Sequence, residues 1–117
     1  MAKSAKFESG YLPMEFLEQV AEVIRLLGHP SRLSIVDVLD REGEITAGTV
    51  SELCGMTQSQ TSQHLAQMRR LGIVASRREG TLIYYKLDSI QPRTIIGCLR
   101  DRYHELDDGT PPKKRTR

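Results

Sequence analysis

The sequence predicts a mainly α-helical domain of the α+β class in which a β-hairpin precedes the last helix. Apolar residues recur at helical spacing in five segments, and glycines or capping residues separate them. Two short strand-forming segments flank a tight turn at Glu79-Gly80-Thr81. The predicted order is four helices, two strands and a final helix. A chain of 117 residues fits one such domain.

The first two predicted helices supply much of the core. The first begins at Pro13, where a missing N–H costs little, and stops before Gly28. Its apolar stripe is Phe16, Leu17, Val20, Ile24 and Leu27, with Val23 beside it. The second covers about residues 30–41 and carries Leu33, Val36 and Leu39, flanked by Ile35 and Val38. Such a wide apolar face belongs in the middle of a small core.

The third and fourth predicted helices form a closely linked pair. Thr46 caps the third, which ends at Cys54 before Gly55, with Val50 and Leu53 pointing inward. Thr57-Gln58-Ser59-Gln60 is a capping box that starts the fourth helix. That helix runs to about residue 71, and its inward residues are Thr61, Leu65, Met68 and Leu71. A glycine-containing turn this short is typical of a helix-turn-helix.

The hairpin and the last helix complete a winged helix-turn-helix. The strands cover residues 73–79 and 82–87, and the last helix begins near Gln91-Pro92. One face of that helix carries Ile95, Ile96, Leu99, Tyr103 and Leu106. We expect a flexible arm at residues 1–12, a DNA-binding and dimerisation domain at 13–106, and a disordered basic tail at 107–117.

Positive charge is concentrated in two places. The chain has 17 basic and 15 acidic residues, and four basic residues lie in 113–117, so residues 1–112 carry 13 − 15 = −2. Within them, residues 57–86 hold five basic residues and one acidic residue, a local +4. A basic patch on a slightly acidic body suits a polyanion bound by one face. The alternative is an ordinary solvated surface.

The outward residues of the fourth helix predict base recognition. Gln can bond bidentately to adenine, and Ser can donate or accept. On a merely solvated face, Lys and Glu would be the better helix formers. Arg77 and Arg78 lie near the hairpin tip on opposite faces, so one is expected in the minor groove and the other along the DNA backbone. The alternative is an ion pair with Glu79 or Asp88. The predicted DNA-binding residues are Gln58, Ser59, Ser62, Gln63, His64, Arg69, Arg77, Arg78 and Thr81.

Several segments together resemble the ArsR/SmtB family of winged-helix metal-responsive repressors and their non-metal relatives. They are residues 27–33 (LGHPSRL), 51–55 (SELCG), 57–65 (TQSQTSQHL), 71–74 (LGIV) and 77–87 (RREGTLIYYKL), and the resemblance covers about residues 14–106. It implies a homodimer built by the first and last helices, which binds a palindromic operator, blocks transcription and is released by an inducer. It also implies a structural role for His29.

The family's metal sites are incomplete in this sequence. The arsenic-type site needs Cys-x-Cys, but Gly55 and Met56 follow Cys54. The zinc-type site needs histidines that the last helix lacks, since Ser89-Ile90-Gln91 and Arg102 stand at the expected places. Asp101 and His104 share a helix face and could bind a metal only together with a second copy. We therefore predict no certain cofactor, and a metal-responsive repressor with a non-standard site is an alternative.

The two cysteines suggest that the protein senses a thiol-reactive signal. Some relatives in the family sense oxidants or reactive sulfur with one cysteine at the position of Cys54 and another on the last helix. Cys98 lies on that helix, about six residues before the usual position. The resemblance therefore suggests a thiol-reactive inducer acting through Cys54 and Cys98. The alternative is that each cysteine is a small buried hydrophobic residue.

Other classes of protein fit less well. A cysteine hydrolase using Cys54 and His64 would lack a third catalytic member and an oxyanion hole, so we predict no enzyme. An inducer-independent DNA binder or a protein-interaction module remains an alternative. The sequence has neither an apolar run of membrane-spanning length nor a signal-like start, so we expect a cytoplasmic protein without a membrane partner. Its predicted partners are double-stranded DNA and a second copy of the chain.

Overall fold

A computed structural model describes residues 10–107, which form five α-helices and three β-strands. In chain order these are α1 Met14–Leu27, α2 Pro30–Glu42, β1 Ile45–Thr46, α3 Ala47–Cys54, α4 Gln58–Arg70, β2 Val74–Glu79, β3 Leu82–Leu87 and α5 Ile90–Asp107. The predicted winged helix-turn-helix is confirmed. Most of the predicted arm and tail lies outside the described residues.

The core lies where α1, α2, α4 and the sheet meet. Its thirteen buried apolar residues come from every element except β1: Val23, Leu26, Leu27, Ile35, Val36, Leu39, Val50, Leu65, Met68, Ile73, Val74, Leu87 and Ile96. Ile45 of β1 packs against this cluster from the side. A set drawn from so many elements fixes the hairpin and α4 to one body.

The sheet contains a strand that the sequence pattern did not indicate. Its order is β1-β3-β2 with antiparallel pairing, and β1 pairs Ile45 with Tyr85 and Thr46 with Tyr84. Two residues are too few to show a period of two, which is why β1 was missed. The hairpin itself is confirmed: Glu79 pairs with Leu82, and Gly80 in the turn has φ of +64°.

The link between α3 and α4 is rigid. Gly55 adopts the left-handed conformation with φ of +69°, which favours glycine. The buried Ser51 hydroxyl donates to the carbonyl of Met56 at 2.7 Å. Thr57 accepts from the Gln60 N–H at 3.1 Å, and Gln60 Oε1 accepts from the Thr57 N–H at 3.3 Å. The predicted capping box is thus confirmed, and it fixes where α4 starts.

The prediction that Leu53 and Leu71 point inward is wrong. Leu53 and Leu71 are about half exposed, at 53% and 49%. On the short helix α3, Val50 and Ser51 face the body, and Leu53 faces solvent. Leu71 is the C-cap residue of α4, at φ −93° and ψ 7°, so helical periodicity no longer places its side chain. Pro13 is likewise the N-cap of α1 rather than its first residue.

The first and last helices each leave an apolar face uncovered. On α1, the buried residues are Val23, Leu26 and Leu27, whereas the rest of the predicted stripe is mostly exposed. On α5, Ile96 is buried, but its apolar neighbours further along the helix are not. The exposed apolar residues of the two helices are Met14, Phe16, Leu17, Ile24, Ile90, Leu99, Tyr103 and Leu106. Within residues 10–107, no helix is both long and apolar enough to cross a membrane.

Candidate nucleic-acid interface

The N-terminal half of α4 presents short polar side chains to solvent. Gln58, Ser59, Ser62 and Gln63 are all exposed, and their i, i+4 spacing places them on adjoining faces of the helix. On the other side of α4, Thr61, Leu65 and Met68 are buried in the body. Because one side is fixed in the core, the exposed side keeps a constant orientation toward an approaching ligand.

Gln60 belongs to the cap rather than to the exposed face. Its backbone N–H and side-chain oxygen are both engaged with Thr57. The hydroxyl of Thr61, buried beside it, donates to the Thr57 carbonyl at 2.9 Å. Gln58, Ser59, Ser62 and Gln63 therefore form the exposed polar face at this end of α4.

Arg32 of α2 anchors α4 through hydrogen bonds. The sequence pattern gave it no role. Its Nε donates to His64 Nδ1 at 3.0 Å, and its Nη2 donates to Gln67 Oε1 at 3.1 Å. Its Nη1 donates to the carbonyl of Leu26 at 3.2 Å. One guanidinium thus joins α1, α2 and α4. The only sequence signal was its place in His29-Pro30-Ser31-Arg32.

His64 lies at the margin of the exposed face and is half-buried. Because its Nδ1 accepts from Arg32, the proton of the neutral ring is on Nε2. Burial, with smaller contributions from Arg32 and His29, holds the pKa of His64 below its usual value of 6.5. His64 is therefore a neutral side chain near pH 7 whose Nε2 carries the ring proton.

His29 has the structural role that the family resemblance implied. It is the N-cap of α2, and its Nδ1 accepts from the N–H of Ser31 at 3.2 Å. Its ring meets the ring of His64 edge-on, with 4.8 Å between centroids. His29 therefore supports His64 as well as the start of α2.

On the wing, Arg77 is held by two carboxylates. Its Nε and Nη2 donate to the two oxygens of Glu44 at 3.0 and 3.1 Å, and its Nη1 donates to Glu79 at 3.1 Å. Its guanidinium also lies 4.5 Å from the centre of the Tyr84 ring. These contacts raise the pKa of Arg77, and its hydrogen bonds lower the pKa of Glu44. The alternative expectation of a pair with Glu79 is thus the geometry observed for Arg77.

The other predicted basic contacts are differently placed. Arg78 and Thr81 are exposed at the wing tip, and Arg69 is exposed at the end of α4 beside Arg70. Within residues 10–107, none of these three arginines forms an ion pair. Their side chains are exposed to solvent, whereas Arg77 is engaged with Glu44 and Glu79.

The candidate sensing residues lie on α3 and α5, outside α4 and the wing. Cys54 is half-buried at the end of α3, packed against the core, and Cys98 is exposed on α5; both are free thiols. The expectation of a buried cysteine therefore fits Cys54 in part and is wrong for Cys98. Asp101 and His104 are exposed on α5, and no group of three or more metal-ligating side chains is found within residues 10–107.

Comparison with known proteins identifies this architecture. Residues 27–77, from the end of α1 to the wing, match a family model described as a helix-turn-helix domain. The HTH-type transcriptional regulator YgaV of Escherichia coli is 35% identical over 86 residues, covering 74% of this chain and 87% of that protein. The chain belongs to the ArsR/SmtB family of winged-helix transcriptional regulators. It is accordingly a DNA-binding regulator rather than an enzyme, as predicted.

Two solved structures of similar proteins share the fold. The transcriptional repressor BigR from Xylella fastidiosa superposes with a TM-score of 0.70 at 31% identity, covering 79% of this chain and 97% of that chain. A homodimeric winged helix-turn-helix DNA-binding domain from Mycobacterium bovis, described as a possible ArsR-family regulator, superposes with a TM-score of 0.67 at 29% identity. The superposition covers 80% of this chain and 85% of the Mycobacterium bovis chain.

The lowered pKa of His64 makes stability depend on pH. As pH falls below 6.5, the unfolded chain takes up a proton at His64 before the folded chain does. The stability contributed by the neutral ring is therefore full above 6.5 and is lost at lower pH. We expect His64→Gln to reduce the loss in free energy of unfolding between pH 7.5 and 5.5, measured by urea titration.

The exposed His104 supplies the matched control. His104→Gln should retain the part of the pH dependence that comes from His64, because His104 lies on α5 and does not contact Arg32. A parent and a His64→Gln variant with the same pH dependence would contradict the neutral, hydrogen-bonded His64.

Proposed function

We propose that this chain is a dimeric transcriptional repressor that reads an inverted-repeat operator through α4 and is released from it by an inducer. The observation that carries the proposal is the row of exposed Gln and Ser side chains on the N-terminal half of α4. Those side chains stand on a helix fixed by its cap, by Ser51 and by Arg32. Fixed hydrogen-bonding groups on a helix that can enter the major groove are suited to base recognition.

The distribution of charge along α4 supports an orientation in which its N-terminal half enters the major groove. Gln58 and Arg69 are eleven positions apart, which is about 16 Å along a helix. The polar N-terminal end can therefore meet base edges while Arg69 and Arg70 reach phosphates farther along the groove. Arg78 and Thr81 at the wing tip extend the contact to one side. Phosphate contacts of this kind position the protein, whereas the Gln and Ser contacts carry sequence preference.

The uncovered apolar faces of α1 and α5 support a dimer. Exposed aromatic and branched residues on both helices would be costly in a monomer and are suited to burial by a second copy. The Mycobacterium bovis relative is itself described as homodimeric. A two-fold dimer presents two copies of α4 and so reads an inverted repeat. Repression is inferred from this geometry and from the description of BigR as a repressor.

The inducer is proposed to be thiol-reactive. This part of the proposal is supported by two free thiols, one on α3 next to the α4 motif and one on the proposed dimer helix α5. Oxidation linking them would release two electrons to the oxidant and join α3, which precedes α4, to the proposed dimer helix α5. A metal signal through Asp101 and His104 is the alternative, and it would need donors from a second copy.

Base recognition is tested by selecting bound DNA from a random pool. The parent should enrich an inverted repeat. Gln63→Ala should weaken binding to that repeat by about 1–3 kcal/mol and relax the preference at one position of each half-site, because a bidentate contact is lost. Gln19→Ala, an exposed glutamine on α1, is the truncation control and should change neither quantity.

Two results would contradict this assignment. No enriched sequence for the parent would favour an architectural DNA binder or a protein-interaction module. An inverted repeat that Gln63→Ala recovers with unchanged preference would move the reading face elsewhere on α4.

The dimer is tested by placing a charge in the proposed interface. Ile24→Glu should shift the protein toward monomer in sedimentation equilibrium, because a buried unpaired carboxylate is strongly unfavourable. Leu53→Glu is the matched control, since Leu53 is as exposed as Ile24 but lies on α3. If both variants remain dimeric to the same degree as the parent, α1 is not in the interface.

Thiol sensing is tested by mass spectrometry of intact and digested protein after mild oxidation or polysulfide treatment. We expect a link between Cys54 and Cys98, absent from Cys54→Ser and Cys98→Ser variants, together with loss of operator binding. Before oxidation, Cys98 should be alkylated faster than Cys54 because it is the more exposed thiol. Two unmodified thiols after treatment would exclude the thiol signal and leave metals or small ligands as inducers.

A further inference from the structure

The two faces of the wing have different surroundings. Neighbouring strand residues point to opposite faces, so Val74, Ser76 and Arg78 share one face of β2, and Ala75, Arg77 and Glu79 share the other. Val74 and its partner Leu87 are buried, and Tyr85, the partner of Ser76, packs against the core. The face with Val74, Ser76 and Arg78 therefore packs toward the helices. The face with Ala75, Arg77 and Glu79 is the outer face.

Arg78 continues the helix side of the sheet beyond the edge of the core. Its cross-strand partner is Ile83, which belongs to the same face as Tyr85 and Leu87. Arg78 thus projects on the side of the sheet where α4 packs against β2. A wing residue that meets the same DNA as α4 is expected on this side.

Arg77 lies on the outer face and spans the width of the sheet. Starting from β2, its side chain passes over the Tyr84 ring of β3 and ends at Glu44, directly before β1. Glu44 binds it with both carboxylate oxygens, and Glu79 holds the third guanidinium nitrogen. An isolated exposed ion pair contributes little, but a bidentate pair within a network of charges has a defined geometry.

The charge of this cluster is unsuited to phosphate binding. Arg77, Glu44 and Glu79 together carry +1 − 2 = −1. A phosphate that took Arg77 from Glu44 would leave an unpaired carboxylate next to DNA. The same contacts are well suited to holding the hairpin, since β1 supports only the Tyr84 and Tyr85 positions of β3 and the tip beyond them has no third strand.

We propose that Glu44 and Arg77 form a brace on the outer face of the sheet, so that both act as positioning residues and the DNA contact of the wing falls to Arg78. This proposal rests on the proposed operator binding and reassigns Arg77, which the sequence placed among the DNA contacts. The brace fixes the angle of the hairpin tip, and with it the distance between Arg78 and the groove that α4 occupies.

The test compares Glu44→Gln, Arg77→Gln and the charge swap Glu44→Arg/Arg77→Glu with the parent. Glu42→Gln is the matched control, because it removes the same charge two residues away from an exposed side chain that does not contact Arg77. Operator affinity is measured across a salt series, and amide hydrogen exchange is measured over residues 78–83 without DNA. Circular dichroism verifies folding of each variant.

A brace predicts one combined result. Glu44→Gln and Arg77→Gln should each weaken operator binding by about threefold with an unchanged salt dependence, and both should speed exchange in the wing. The charge swap should recover part of the affinity and the protection, because it restores the pair between positions 44 and 77 but not the contacts with Glu79 and Tyr84. Arg78→Gln, in contrast, should lower the slope of log K against log salt by about 1.

Other results overturn the brace and remain distinct from failure of the proposed function. If Glu44→Gln binds more tightly than Glu42→Gln with a steeper salt dependence, Arg77 is a phosphate contact that Glu44 masks. If wing exchange is unchanged in Glu44→Gln, the cluster does not hold the hairpin. If the parent itself binds no operator, operator binding fails, whereas the exchange measurement still decides the brace.

Discussion

The placement of α4 depends on the guanidinium of Arg32. Its three hydrogen bonds end on the last turn of α1, on His64 and on Gln67, so three helices share one charged centre. Gln67 and His64 lie one turn apart on the body side of the exposed reading face. Any rotation of α4 about its axis would break at least one of these bonds. Burial first, and the positive charge of Arg32 to a smaller degree, hold the pKa of His64 below its usual value, so the ring is neutral and its Nδ1 can accept from Arg32.

A second set of charges attaches α5 to the body in a comparable way. Arg100 donates to Asp37 and Asp40 of α2, and Arg93 donates to Asp40. These contacts raise the pKa of Arg100 and set the rotation of α5 about its axis. With Ile96 buried, the exposed apolar residues Leu99 and Tyr103 flank a small open groove beside Asp37 and Arg100. The apolar face proposed for the second copy therefore has a fixed direction.

The brace at the wing fits this arrangement. In each of the three places an arginine forms hydrogen bonds to a part of the chain distant in sequence. In each, the arginine helps to orient an element that the small core holds only in part. A domain of this size buries a limited fraction of its surface, so side-chain contacts outside the core carry more of the orientation. The residues proposed to touch DNA stand on the elements so oriented.

Local signals in the sequence were sufficient for most of the fold. The capping box at Thr57, the helix stop at Gly55 and the turn at Gly80 act over a few residues, and each was correctly predicted. Helical spacing located all five helices. The exposed Gln and Ser face of α4 followed from the same spacing, because burial of Thr61 and Leu65 determines which side remains outside.

Tertiary structure alone decided which side chains meet. Arg32 and His64 are 32 positions apart, and Arg77 and Glu44 are 33 apart, so no periodic pattern connects them. The exposure of Leu53 and Leu71 depends on which elements pack beside α3 and beside the end of α4. The helical spacing of these residues does not show that. The sequence by itself determined the elements and the exposed Gln and Ser face of α4, since capping, turn formation and periodicity are short-range. The anchoring of α4 and the engagement of Arg77 required the folded chain, because they are long-range contacts between charged groups.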